Sequence, residues 1–272
     1  MLKTRVLTAL VLLAILLPVL YSANFYAFSV MAVAFFAAAM WECQRLFKKP
    51  GPIIMAVLWV GLLVYCLFHL ADFSHPLLFA LSTAFWAFRL VPTLARGLPE
   101  THNFSSGMLS TLYGISIFAC FVAIAVFFQR SPMYLFSVMA IVWIADIGAY
   151  FSGKAFGKRK LAPTISPGKS WEGAIGGWIC VLILAATTSF IPALENTFTA
   201  QLVARKGWLI FVCAMTLITA ASVVGDLFES SLKRRVGMKD SSNLLPGHGG
   251  VLDRIDALIP VLPLAALVDL WR

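Results

Sequence analysis

The sequence predicts an all-α, polytopic transmembrane helical protein of about nine spans, with its N-terminus in the cytoplasm. Three observations carry that expectation. Of 272 residues, 61% are hydrophobic and only 12% are charged, about half the charged share of a soluble domain. Apolar runs approaching the roughly 20 residues of a span recur along the whole chain. The basic residues fall unevenly on the connections between those runs. Lys and Arg exceed Asp and Glu by 21 to 12, and basic residues retained on the cytoplasmic side explain this excess without any nucleic acid.

The first run, residues 6–22, follows Lys3 and Arg5 and imitates a secretory signal. It reads as a retained span. The run is long, bulky Tyr21 would occupy the −3 position to a cleavage after Ala23, and a second run starts at once. Runs at 24–41, 53–71, 75–92 and 107–128 follow and hold few polar residues. Runs at 132–150, 172–192, 207–228 and 255–271 complete the set, with boundaries good to roughly 3 residues. Residues 1–130 therefore read as an N-terminal scaffold of about five spans, and residues 131–272 as a catalytic region with cytoplasmic loops at 151–171 and 229–254.

Orientation follows from charge. With the N-terminus inside, one side holds Lys3, Arg5, Arg45, Lys48, Lys49, Arg89, Arg96, the five basic residues between Lys154 and Lys169, and Lys233, Arg234, Arg235, Lys239 and Arg254. The other side holds Arg130, Arg205, Lys206 and Arg272. The split of 17 to 4 places the C-terminus outside. The five cysteines are scattered, mostly in apolar runs, and show no metal spacing.

Chemistry concentrates in the two cytoplasmic loops. In DIGAYFSGKAFGKRKLAPTISPGKSWEG, residues 146–173, Asp146 lies inside a span, where a carboxylate is costly and usually faces a cavity or a cation. Basic residues among glycines suit a polyphosphate; positive-inside charge alone would give the same composition. The GKS at 168–170 is no Walker A motif, because Pro163 stands where that motif needs glycine. In the second loop Asp226, Glu229, Ser230 and Lys233 share one helix face by spacing. Asp253 and Asp256 form a second pair at the start of the last run. Carboxylates converging at a low-dielectric boundary repel unless cations balance them. Arg234, Lys239 and Arg254 could do so, giving structural salt bridges. A divalent metal such as Mg²⁺, which takes carboxylates together with substrate phosphates, is the functional alternative. His248, in a glycine-rich turn, could donate to a phosphate, move a proton or cap the loop.

Residues 230–256 resemble the CDP-diacylglycerol synthase, or phosphatidate cytidylyltransferase, family. The resemblance rests on Ser230, Leu232, Lys233, Arg234, Lys239, Asp240, Pro246, His248, Gly249, Gly250, Val251, Asp253, Arg254, Ile255 and Asp256. The first loop adds Asp146, Ala149, Tyr150, Gly157, Lys158, Ser166, Pro167, Lys169 and Gly173. The resemblance implies that CTP and phosphatidate give CDP-diacylglycerol and pyrophosphate, a step of phospholipid biosynthesis. It implies Mg²⁺ or Mn²⁺, with room for a second cation, on Asp226 and Asp253, with Asp146 in or near that shell. Asp226, Asp253, Asp256, Lys239 and His248 are the catalytic candidates. Ser166, Lys169, Ser230, Lys233, Arg234 and Arg254 are the substrate-binding candidates. A homodimer is what the family suggests, and the short loops suggest a bacterial inner membrane. A CDP-alcohol phosphotransferase would show an aspartate-rich Asp-Gly-x-x-Ala-Arg motif, which is absent. The alternative from another class is an ion-coupled transporter, which predicts a polar site at the midplane and inverted repeats.

Overall fold

The structure, a computed structural model, describes residues 2–70, 74–101 and 103–271. Arg272, counted above with the outer basic residues, lies outside them, as do the side chains of Lys3 and Arg5. The helices are α1 (Leu2–Ser22), α2 (Phe25–Leu46), α3 (Pro52–Phe68), α4 (His75–Phe85), α5 (Val91–Arg96), α6 (Phe104–Arg130), α7 (Pro132–Phe156), α8 (Trp171–Thr187), α9 (Phe198–Arg235), α10 (Leu252–Ile255) and α11 (Leu258–Leu270). A π-helical stretch, Trp86–Leu90, joins α4 to α5. Local chemistry sets the helix starts: Asn24, Asn103, Ser131, Ser170 and Thr197 each accept an N–H of the first turn, which satisfies donors that the helix itself leaves unpaired.

Among the described residues six stretches are long and apolar enough to cross a membrane: Phe25–Leu46, His75–Arg96, Phe104–Arg130, Pro132–Phe156, Trp171–Phe190 and Phe198–Arg235. Val6–Ser22 and Pro52–Phe68 are shorter apolar helices. Leu7, Val30, Ile54, Phe88 and Leu209 are all more than half exposed. A water-soluble surface does not present apolar area on that scale; lipid covers it, and the chain is an integral membrane protein.

The run expected at 255–271 takes a different form. It is broken at Asp256 and Ala257, and α11 has 13 residues, about 20 Å at 1.5 Å per residue. This helix is the hub of the bundle. It packs on α4, α6, α7 and α9, and residues Leu258–Pro263, Ala265 and Ala266 are buried. Being apolar all round, it needs burial on every side. Its far end is held by Asp269, which accepts from Tyr134 Oη at 2.7 Å and pairs with Arg130 at 2.7 Å. Since α4 and α6 belong to residues 1–130, contacts run across the boundary drawn between scaffold and catalytic region.

Both expected loops are more ordered than their composition suggests. Helix α7 runs on to Phe156, and the next residues form an antiparallel hairpin of β1 (Lys160–Ala162) and β2 (Ser166–Ser170). The Glu172 carboxylate fastens the hairpin to α8 by accepting the Lys158 and Arg159 N–H groups. Helix α9 breaks at Gly207 (φ 78°, ψ 172°) and then runs unbroken to Arg235. That second part is about 42 Å long at 1.5 Å per residue, more than the roughly 30 Å hydrocarbon core. The excess carries Asp226, Glu229, Ser230 and Lys233 toward one end of the bundle. There Arg235 ties α9 down, donating to Leu46 O, Pro99 O and Ser106 Oγ and lying over the Phe47 ring.

Helices α7 and α8 make the tightest pair. A Cβ on Gly177 would meet Ala145 O at 2.5 Å, and one on Gly148 would meet Gly177 Cα at 3.0 Å. Small residues permit this backbone approach. Gly177→Ala is expected to destabilise the protein by about 1–3 kcal/mol through overpacking, seen as a lower thermal unfolding midpoint in detergent. Gly61→Ala, where a Cβ meets nothing within 4 Å, is expected to leave the midpoint unchanged or higher.

Candidate active site

The hairpin, α7, α8 and α9 enclose a cavity of about 480 Å³. Asp146, Ser166, Lys169 and Asp226 line it, together with small residues such as Ala149, Gly153 and Gly173. Four residues proposed from sequence therefore meet in one space. Lys169 Nζ pairs with Asp226 Oδ2 at 2.5 Å. Ser230 Oγ, one turn further along α9, donates to Asp226 Oδ1 at 3.1 Å. The Asp146 side chain faces the open cavity and accepts no hydrogen bond among the described residues. Asp226 sits within electrostatic reach of both Asp146 and Asp256.

A second cluster adjoins the first. Lys233 reaches two carboxylates at once. It pairs with Glu229 one turn back on α9 and donates to Asp253 Oδ1 at 2.6 Å. Asp253 Oδ2 accepts from Ser241 N at 2.8 Å, Ser241 Oγ at 2.9 Å and Gly250 N at 2.8 Å. Burial works to raise the Asp253 pKa, but Lys233 and the Gly250 and Ser241 N–H groups outweigh it and hold the carboxyl below its ordinary value. Asp256 comes just after α10 and accepts from Ala257 N at 2.7 Å. Helix α9 approaches this junction closely, since a Cβ on Gly225 would meet Asp256 O at 2.5 Å. The glycine before Asp226 thus sets how near the two aspartates lie.

The remaining candidates hold the loop or ring the site. Leu245-Pro246-Gly247-His248 is a turn with His248 N donating to Leu245 O at 2.8 Å and Gly247 at φ 77°. Proline second and a positive-φ glycine third are what a type II turn requires. Arg254 donates from Nε to His248 O at 3.0 Å, so its guanidinium braces this turn. His248 Nδ1 is buried without a hydrogen-bond partner among the described residues. Arg234 reaches back to the hairpin, donating to Ile165 O at 3.4 Å and to Met238 O at 3.3 Å. Lys239 is exposed on the loop after α9. The structure thus joins Asp146, Ser166, Lys169, Asp226 and Ser230 in or at the cavity, sets Lys233, Asp253 and Asp256 beside it, and leaves His248, Arg254 and Lys239 outside its lining.

Two acidic residues are more deeply buried than the sequence shows. Glu229, already placed on the α9 face by its spacing, is fully buried and pairs with Lys233, next to Phe228 of an aromatic cluster with Trp86 and Tyr113. Glu42 is also fully buried. It lies just beyond the apolar run at 24–41, and α2 continues past it to Leu46.

A metal has few places here. Among the described residues no group of three or more His, Cys, Asp or Glu side chains is arranged to hold one. Carboxylates that stand singly or in pairs suit Mg²⁺, which keeps waters and takes substrate phosphates into its shell.

A lipid-embedded helical bundle with a mixed-charge cavity at one end is the class of protein that this fold and site define. A sequence model described as the cytidylyltransferase family matches residues 3–270, and the chain belongs to that family. The phosphatidate cytidylyltransferase of Pseudomonas aeruginosa is 40% identical over 279 residues, covering 100% of this chain and 97% of that relative. The Haemophilus influenzae protein of the same name is 37% identical, covering 97% of this chain and 96% of the relative. The Bacillus subtilis one is 35% identical, covering 96% and 95%.

Removing one partner of a buried charge cluster leaves an uncompensated charge and costs about 3–5 kcal/mol. Lys233→Met is expected to destabilise the protein by that order in detergent thermal unfolding. Adding Glu229→Gln should recover part of the loss, because it removes the carboxylate that Lys233 balanced.

Proposed function

We propose that this chain is a phosphatidate cytidylyltransferase, transferring the cytidylyl group of CTP to phosphatidate and releasing pyrophosphate. The cavity carries the reading. It presents two lysines, Lys154 and Lys169, and two carboxylates, Asp146 and Asp226, beside the exposed ring of Tyr150, a set that suits phosphates at a membrane boundary. A phosphatidate headgroup can reach it from the bilayer and CTP from the aqueous side. A phosphate oxygen of phosphatidate attacks the α-phosphorus of CTP. The new P–O bond forms as the bond to the β-phosphate bridging oxygen breaks, and pyrophosphate leaves with that electron pair. No protein nucleophile is needed, so the residues work by positioning and charge neutralisation.

Lys169 reaches into the cavity and binds phosphate once its pairing with Asp226 is exchanged for the substrate. Ser166 donates from the same strand. Asp226 and Asp146 face the cavity and fit a Mg²⁺ ion. Asp253 stands beside the cavity on Lys233 and would join them only if that pairing were exchanged, while Ser241 and Gly250 keep its other oxygen oriented. When bound, the ion neutralises phosphate charge as the leaving group departs. Arg234, Lys239 and Arg254 line the approach for the polyphosphate. Nine spans with both site loops in the cytoplasm of a bacterial inner membrane fit the 17 to 4 charge split and a water-soluble CTP.

Purified protein given phosphatidate and labelled CTP with Mg²⁺ is expected to form labelled CDP-diacylglycerol. Chelation should stop the reaction, and added Mg²⁺ or Mn²⁺ should restore it. Asp226→Asn is expected to lose turnover with its unfolding midpoint little changed. Absence of lipid product from folded wild-type protein would sink the reading. For the topology, reporters fused after residue 272 and inserted at about residue 237 are expected on opposite sides of the membrane; the same side would remove the nine-span count.

A further inference from the structure

We propose that Glu42 of α2 is a positioning residue for this transfer reaction, fixing the loop 241–252 and through it the Asp253 carboxylate. The inference rests on the phosphatidate cytidylyltransferase reading.

Glu42 has 0% exposure, and burying a carboxylate is costly unless hydrogen bonds repay it. Its repayment comes entirely from residues about 200 positions away in the chain. Oε1 accepts from Ser242 Oγ at 2.5 Å and Val251 N at 3.1 Å. Oε2 accepts from Leu252 N at 2.6 Å and Ser241 Oγ at 3.1 Å. These partners are all neutral, and among the described residues no cation pairs with Glu42.

The same loop atoms orient Asp253. Ser241 Oγ lies 3.1 Å from Glu42 Oε2 and 2.9 Å from Asp253 Oδ2, so its single proton is shared between the two carboxylates. Gly250 donates its N–H to Asp253 Oδ2. Its own Cα lies so near Glu42 that an added Cβ would stand 2.3 Å from Oε1. Val251 and Leu252, both bonded to Glu42, lead directly into α10, which carries Asp253. Four residues are too few for a helix to hold itself, so α10 takes its orientation from what grips its start. Glu42 is that grip, and Asp253 is one residue beyond it.

Only a carboxylate can serve all four donors. The amide of glutamine offers one acceptor oxygen and turns an N–H₂ toward two donors, so half of the grip becomes repulsive while size and shape stay the same. Outer-shell partners that orient ligand groups typically cost 10–100-fold when removed.

The test compares purified full-length wild type, Glu42→Gln and the exposed-surface control Glu195→Gln. Turnover is measured against both CTP and phosphatidate, and hydrogen–deuterium exchange is followed across the chain. For Glu42→Gln we expect kcat at least about tenfold lower with both KM values within about threefold. Exchange should speed up in peptides covering 241–252 while α6 and α11 stay protected. Glu195→Gln should match wild type in every readout. Wild-type kcat in Glu42→Gln would overturn the proposal. So would a fall in kcat without faster exchange at 241–252, or one accompanied by loosening of α6 and α11, which marks general destabilisation. Wild-type turnover separately tests the reaction itself, and the exchange pattern reads the grip of Glu42 whatever the reaction is.

Discussion

Carboxylates placed at the end of a bundle of apolar helices are costly unless they open to water or find a cation or a set of N–H and O–H donors. In this protein that constraint decides where several chain segments lie. Asp226 is balanced by Lys169 from the hairpin and by Ser230 from its own helix. Glu229 and Asp253 share Lys233. Glu42 is balanced by the loop that follows α9. The Lys169–Asp226, Lys233–Asp253 and Glu42–loop contacts each join a different part of the chain to α9 or to α10, so balancing charge also assembles the site.

The apolar half of the structure supplies the depth. Helix α11 is surrounded by α4, α6, α7 and α9, and Asp269 pins its far end to Arg130 and Tyr134. With that end fixed and the body packed, the start of α11 has little freedom. The junction carrying Asp253 and Asp256 is set by this anchoring, and Gly225 lets α9 come close enough to bring Asp226 beside Asp256. Packing fixes the level, and polar pairing fixes the orientation at that level.

Much of this was legible in the sequence, for identifiable reasons. Helix class followed from apolar run length, and the face of Asp226, Glu229, Ser230 and Lys233 followed from a spacing of three and four residues along α9. What failed to show were features that depend on segments distant in sequence. Nothing in the sequence singled out Glu42, because its partners begin at Ser241. The break before α11 was missed because it falls at Asp256 and Ala257, at the very start of the run read as 255–271. In the sequence the glycines at 249 and 250 mark only a glycine-rich turn that could pack against a nucleotide or a neighbouring helix. The neighbours they make room for are Asp253 and Asp240 at Gly249, and Ser241 and Glu42 at Gly250. Composition signals a close approach without saying what comes close.

The position of the charges also separates an interfacial enzyme from an ion-coupled transporter. A transporter of that kind holds its polar site near the bilayer midplane, between repeated halves, with helices broken there to expose backbone groups. Here α11, the helix at the centre of the bundle, is apolar through its buried length, and the break in α9 at Gly207 lies 19 residues from Asp226, far from the carboxylate cluster. The clustered acidic residues all belong to segments that meet at one end: the last part of α7, the later turns of α9, the end of α2 and the start of the α10–α11 unit. A charged pathway through the bundle would need partners for its ions along α11, and that helix is apolar as far as Asp269, whose carboxylate Arg130 and Tyr134 occupy at the far end. Charges gathered at one end suit a reaction between a molecule dissolved in water and one anchored in lipid.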